Sequence, residues 1–171
     1  MIDGLGKLVR APYFDGYLSK VKFRNLLEEL TDSGDEMIAF LKTLDEYKLR
    51  YSYAEGKWTI SQVILHCIET ETIFNYRALT IARENSPVEL RGFDENAYAK
   101  SSPWESCDSG YLEQYFNSVR ANTLFLSETI TKEQMNKVGI ASGKQIQVKA
   151  LFYLNSGHSR HHLQIIKERY F

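Results

Sequence analysis

Thr59-Ile60-Ser61-Gln62-Val63-Ile64-Leu65-His66-Cys67-Ile68-Glu69-Thr70-Glu71-Thr72-Ile73-Phe74-Asn75-Tyr76-Arg77-Ala78-Leu79-Thr80-Ile81-Ala82-Arg83 is the stretch that decides the fold. Thr59 offers a hydroxyl N-cap and Gln62 stands three residues on, the pattern of a capping box. With successive residues 100° apart, Ile60, Val63, Ile64, Cys67, Phe74, Ala78 and Ile81 fall in one stripe. Neither Pro nor Gly interrupts the run, and Asn85-Ser86-Pro87 closes it. A long amphipathic helix over about 59–83 follows, with an apolar face that other helices must cover.

On the N-terminal side, Tyr51-Ser52-Tyr53-Ala54-Glu55-Gly56-Lys57 reads as a loop. Before it, about 21–49 carries Leu26, Leu27, Leu30, Met37, Phe40, Leu41 and Leu44 at mainly three- and four-residue steps. Thr31-Asp32-Ser33-Gly34-Asp35 reads as a turn or cap within that pattern, which places the first bundle helix at roughly 33–47 after a shorter helical piece. Toward the C-terminus, 86–109 is rich in Pro, Gly, Ser and Asp and reads as a crossover loop rather than an element. Loops that long in compact domains are usually functional or mobile. A third helix spans about 111–130, a polar stretch with Gly139 and Gly143 follows, and a last helix runs over about 146–169. Pro12, Pro87 and Pro103 all lie between these patterns. Four helices with two longer connections and one short bridge make an all-α four-helix bundle, read as one domain over 1–171.

Composition narrows the function classes. The 171 residues are 43% hydrophobic and 25% charged, in the ordinary range for a protein with a buried core. Twenty-one basic against 22 acidic residues give a net charge of −1, and no basic block could neutralise a run of phosphates, which argues against nucleic acid as partner. No stretch approaches the ~20 apolar residues that cross a bilayer, and no signal-peptide pattern opens the chain. Cys67 and Cys107 are too few for a disulfide framework and too far apart for a Cys-x-x-Cys motif. The expectation is a soluble, cytoplasmic protein with no membrane partner.

The chemistry lies in the histidines. His66 is on the second helix and His158, His161 and His162 are on the fourth. Residues four apart share a helix face, so His158 and His162 can present two ring nitrogens to one point, while His161 points away. Val148, Leu151, Phe152, Asn155, Ile165 and Ile166 share that face, which makes the two imidazoles inward-looking. Burying them without partners costs about 1 to 3 kcal/mol per polar group, and a shared metal would remove that cost. His66 sits near the margin of its own stripe, and a modest rotation of the second helix brings it in as a third ligand. The rival reading is a packed or surface histidine at each position. Cys67 reads as a small core residue and Gly157 as a point of close helix approach.

Tyr53-Ala54-Glu55-Gly56-Lys57-Trp58-Thr59-Ile60, leading to His66 and Glu71, resembles the first signature of the DinB-like superfamily of bacterial metal-binding four-helix proteins. Gly157-His158-Ser159-Arg160-His161-His162, continuing to Glu168-Arg169-Tyr170, resembles its second. Phe74-Asn75-Tyr76-Arg77-Ala78-Leu79 and Gly92-Phe93-Asp94-Glu95-Asn96 are also similar to family features. The resemblance implies a DinB/YfiT-like up-down-down-up bundle, metal ligands at His66, His158 and His162, nickel or zinc as the ion, and a homodimer. It leaves the roles of Glu71, Arg77, Asp94, Trp104 and His161 open, with ion-pair, turn and packing roles as the plain alternatives. Family members include damage-inducible proteins, metal-dependent hydrolases and transferases of low-molecular-weight thiols. The expected function is therefore a metal-dependent enzyme that activates a thiol or water against a small electrophile. The alternative is a non-catalytic stress protein that binds a metal or small ligand.

Overall fold

A computed structural model describes residues 7–22 and 25–171; residues 23 and 24, within the first helical pattern, lie outside the described residues. A 3-10 turn at Pro12–Phe14 leads into α1 (Asp15–Leu18). Then come α2 (Leu26–Leu41), α3 (Glu46–Arg50), α4 (Ile60–Arg83), β1 (Glu89–Leu90) and α5 (Glu95–Ser101). After a second 3-10 turn at Trp104–Ser106 follow α6 (Ser109–Thr129), α7 (Lys132–Met135), β2 (Val138–Ala141), β3 (Lys144–Gln147) and α8 (Val148–Arg169).

Local chemistry starts most of these helices. Thr59 and Gln62 form the expected reciprocal capping box on α4. Asn25, Asp45, Asp94 and Asp108 each accept backbone N–H bonds at the starts of α2, α3, α5 and α6. Among the described residues, no helix is long and apolar enough to cross a membrane.

Paired residues give the direction of each long helix. Ser33 of α2 bonds Ser156 of α8, and farther along both helices Lys167 lies over the Phe40 ring, so these two run parallel. Glu71 meets Arg120 while Arg83 reaches Thr129, so α4 and α6 also run parallel. Asn155 bonds Asn75 while His158 faces His66, which makes α4 and α8 antiparallel. Arg120 bonds the Leu30 carbonyl and Glu113 pairs with Lys42, which makes α2 and α6 antiparallel. The bundle is thus up-down-down-up, with cyclic order α2-α8-α4-α6. One apolar cluster centres on Leu41, Ile64, Leu112 and Phe116, and a second on Phe74, Ile146, Leu151 and Phe152.

Two sequence expectations are corrected. The Thr31–Asp35 cluster does not break the first helix: α2 runs through it and ends at Leu41, and residues 46–50 form a separate short helix. Tertiary contacts override the local turn signal. Asp32 pairs with Arg160, Ser33 donates to Ser156, and a Cβ on Gly34 would lie 3.3 Å from the Arg120 side chain, so this glycine makes room for a buried arginine. The 86–109 segment is not a featureless loop either, since it contributes β1 and α5. β1 pairs parallel with β2 (Glu89↔Ile140, Leu90↔Ala141), and β2 pairs antiparallel with β3. Ser142 and Gly143, with φ of 53° and 71°, make the two-residue turn between them. The small sheet caps the end of the bundle that holds the start of α8.

The interior is unusually charged. Arg120 donates to both carboxylate oxygens of Glu71 (2.7 and 2.8 Å), to the Leu30 carbonyl (2.5 Å) and to Ser33 Oγ (2.8 Å), and Thr123 donates to Glu71 as well. Arg160 pairs with Glu29, Asp32 and Glu36 and donates to the Lys20 carbonyl. Removing one member of a buried pair strands the other, at a cost of roughly 3–5 kcal/mol. Arg120→Ala is expected to lose stability of that order in urea unfolding. Joint replacement by Glu71→Leu and Arg120→Met should recover most of it, and an Arg120→Ala loss below about 1 kcal/mol would contradict the assignment.

Candidate metal centre

α4 and α8 bring His66, His158 and His162 together, with one ring nitrogen from each lying within 4.8 Å of the others. His158 Nε2 is 3.1 Å from His66 Nε2 and 3.0 Å from His162 Nε2. The 66/158 contact joins residues 92 apart in sequence. Thr70 Oγ1 lies 3.5 Å from His66 Nδ1, where it can accept an Nδ1–H and leave the Nε2 lone pair facing the other rings.

Electrostatics keep these rings neutral. Burial lowers His66 from 6.5 to about 4 and His162 to about 3. His158 is pushed well below 6.5, first by burial and then by the neighbouring rings. Neutral imidazole is the form that ligates metals. Three nitrogens bonded at about 2.0–2.1 Å to one tetrahedral ion stand roughly 3.3 Å apart, close to the 3.1 and 3.0 Å that separate His158 Nε2 from the other two. The donor set and its spacing therefore fit a divalent ion, and these residues could hold one.

The surroundings are shaped by α1. A Cβ at Gly157 would lie 2.3 Å from the Tyr17 carbonyl oxygen, so this position of α8 must stay bare for α1 to pack on it. That contact sets the Tyr17 ring 5.2 Å from the His158 ring and 4.9 Å from the His161 ring. On the other side Trp58 lies 5.0 Å from His66. A cavity of about 320 Å³ opens beside His66 and His158, and Tyr17, Thr70, Phe74 and Arg77 are among its walls. Burial raises the Tyr17 phenol well above 10, with Tyr13 and Glu95 adding to the effect, so it remains a proton donor.

The other residues left open by sequence have defined places. His161 is half-buried and packs on Tyr17 and His162 outside the trio. Glu71 forms its interhelical ion pair with Arg120, not with Arg77. Asp94 caps α5, and Trp104 packs against the core. Cys67 is buried in the core, as its place beside His66 suggested. Sequence reasoning did not single out Tyr17, Thr70 or Phe74 as site residues. The signal for two of them was present: His66, Thr70, Phe74 and Arg77 recur at steps of four, four and three along one face of α4. Tyr17 carried none, because its place depends on the Gly157 contact.

The depressed histidines have a consequence for acid stability. In the unfolded chain these rings protonate near 6.5, whereas in the folded protein they remain neutral until about 4 or below. The folded state thus binds fewer protons, so the stability is fully present above pH 6.5 and is lost as pH falls toward 4. Metal-free protein should show a falling urea midpoint across that window, and His162→Ala should flatten the fall. A wild-type midpoint unchanged from pH 7 to 4.5 would contradict the burial of neutral rings.

Comparison with known proteins places the chain in a family. The DinB superfamily profile matches residues 26–166. A protein of Halalkalibacterium halodurans named "Putative metal-dependent hydrolase BH0277" is 24% identical over 143 residues, covering 83% of this chain and 82% of that protein. YfiT from Bacillus subtilis, described as "a probable metal-dependent hydrolase with an unusual four-helix bundle topology", matches with a TM-score of 0.69 at 20% identity, over 93% of this chain and 87% of that one. With the profile spanning all four long helices and the three histidines, the chain belongs to the DinB superfamily.

Proposed function

We propose that His66, His158 and His162 bind one divalent ion, nickel or zinc, and that the protein is a metal-dependent enzyme acting on a small molecule in the adjoining cavity. The observation that carries this reading is the meeting of three neutral ring nitrogens, two of them on residues, His66 and His158, that line a cavity of about 320 Å³. Three protein ligands leave a coordination position free for a further group. A bound ion supplies Lewis acidity, lowering the proton affinity of a water or thiol beside it and polarising a substrate oxygen.

The protein's own groups supply the rest. Thr70 orients His66, and Tyr17 and Phe74 flank His158 and limit access of bulk water. The protonated Tyr17 phenol can donate a hydrogen bond to an oxygen in the cavity, and Glu95 is the acidic residue of the lining. The relatives' description as hydrolases favours water as nucleophile; a low-molecular-weight thiol would use the same site without a protein base.

A second reading, a non-catalytic protein braced by its ion, draws support from the ligands joining α4 to α8. Elemental analysis of unsupplemented protein should find about one ion per chain, with His162→Ala losing roughly 100-fold or more in metal affinity. Metal-loaded protein should then turn over esters, amides or thiol-reactive electrophiles in a broad panel, and the variant should not. Equal metal in both proteins would overturn the site. An inert loaded protein stabilised by about 4 kcal/mol at a thousandfold excess over Kd would favour the brace.

A further inference from the structure

Among the described residues, three arginines are buried, and two of them are neutralised: Arg120 by Glu71, and Arg160 by Glu29, Asp32 and Glu36. Arg77 is the exception. It is 4% exposed, it lines the cavity beside His66 and His158, and among the described residues it has no carboxylate partner. Its Nη2 donates to the Arg91 carbonyl (3.0 Å) and to Ser142 Oγ (3.2 Å), and its guanidinium carbon sits 5.9 Å from the Phe93 ring centroid. These contacts fix the group without cancelling its charge, and among the described residues Nε and Nη1 make no hydrogen bond. Burial disfavours the charged form with no acid to offset it.

We propose that Arg77 is the anion-binding group of the cavity, and that the substrate is a small organic acid whose carboxylate it holds while the rest of the molecule reaches His66 and His158. This rests on the reading of the histidines as the reactive end. With Nη2 engaged by Arg91 and Ser142, the hydrogens left on Nη1 offer a carboxylate oxygen a charge-assisted hydrogen bond. One fixed buried charge is balanced by a monoanion. Phe14, Phe74 and Leu151 give the intervening wall an apolar character that suits a hydrocarbon body. Lys144 lies in the same lining and adds positive charge, whereas the acid there, Glu95, is exposed. His66 and Arg77 are three helical turns apart on one face of α4, about 16 Å along its axis, and both line the cavity, so the anion and the reacting end sit at different ends of it.

The test titrates benzoate, phenylacetate and hexanoate, each beside its neutral amide, into the whole protein with and without metal, by calorimetry. Metal-free wild type should prefer each acid over its amide by about tenfold or more. Arg77→Gln should abolish that preference and leave amide affinity within about twofold, and Arg77→Lys should restore part of it. Three results would overturn the proposal: acid and amide binding equally well to wild type, which needs no variant; no acid binding at millimolar concentration; or a preference that appears only with metal loaded, which marks coordination to the ion. A preference that persists in His162→Ala while metal is lost would support the anion site and leave the metal reading to stand or fall separately.

Discussion

A guanidinium taken out of water costs several kcal/mol unless an anion goes with it, and in this bundle that constraint sets the register of the long helices. Arg120 on α6 can be buried only where Glu71 of α4 and the Leu30 carbonyl of α2 meet it. Arg160 on α8 is bound in the same way to Glu29, Asp32 and Glu36 of α2. Apolar stripes allow neighbouring helices to slide by a turn at modest cost. Two multidentate arginines do not, because a slip of one turn would strand several buried charges together.

That register is what assembles the histidines. His66 and Glu71 lie on the same helix, so fixing Glu71 against α6 fixes how far His66 stands along the bundle. His158 and Arg160 are two residues apart on α8, so the salt-bridge cluster with α2 presents His158 toward α4. α8 is buried almost continuously from 148 to 160, because α1, α2, α4 and the small sheet pack around it. A helix so enclosed can carry imidazoles, a bare glycine and an arginine on different faces, each with its own neighbour. Arg77 stands outside this neutralising scheme, and that contrast gives the cavity its charge.

Helix starts and stops were largely legible in the chain because they depend on neighbours in sequence. The Thr59 and Gln62 capping box begins α4, and the third and fourth helices lie within about two residues of where periodicity placed them. The Thr31–Asp35 cluster misled because its polar and small residues are turn-formers in isolation. Here Asp32, Ser33 and Gly34 serve partners on α8 and α6 instead. The strands and α5 of the crossover were hidden for a related reason: two- and four-residue strands have too little period to register, and their pairing joins 89–90 to 140–141.

Read alone, the chain carries the long helices near 59–83, 111–130 and 146–169 and the shared face of His158 and His162, since caps, periodicity and the i,i+4 relation are local. The resemblance of its two signatures also pointed to the family. Only the tertiary structure decided that His66 meets those rings, that Tyr17 reaches them through the gap at Gly157, and that Glu71 takes Arg120 and leaves Arg77 facing the cavity. Each of those outcomes joins residues far apart in the chain. They follow from how buried charge and close-packed surfaces are matched between helices, and a one-dimensional pattern does not contain that matching.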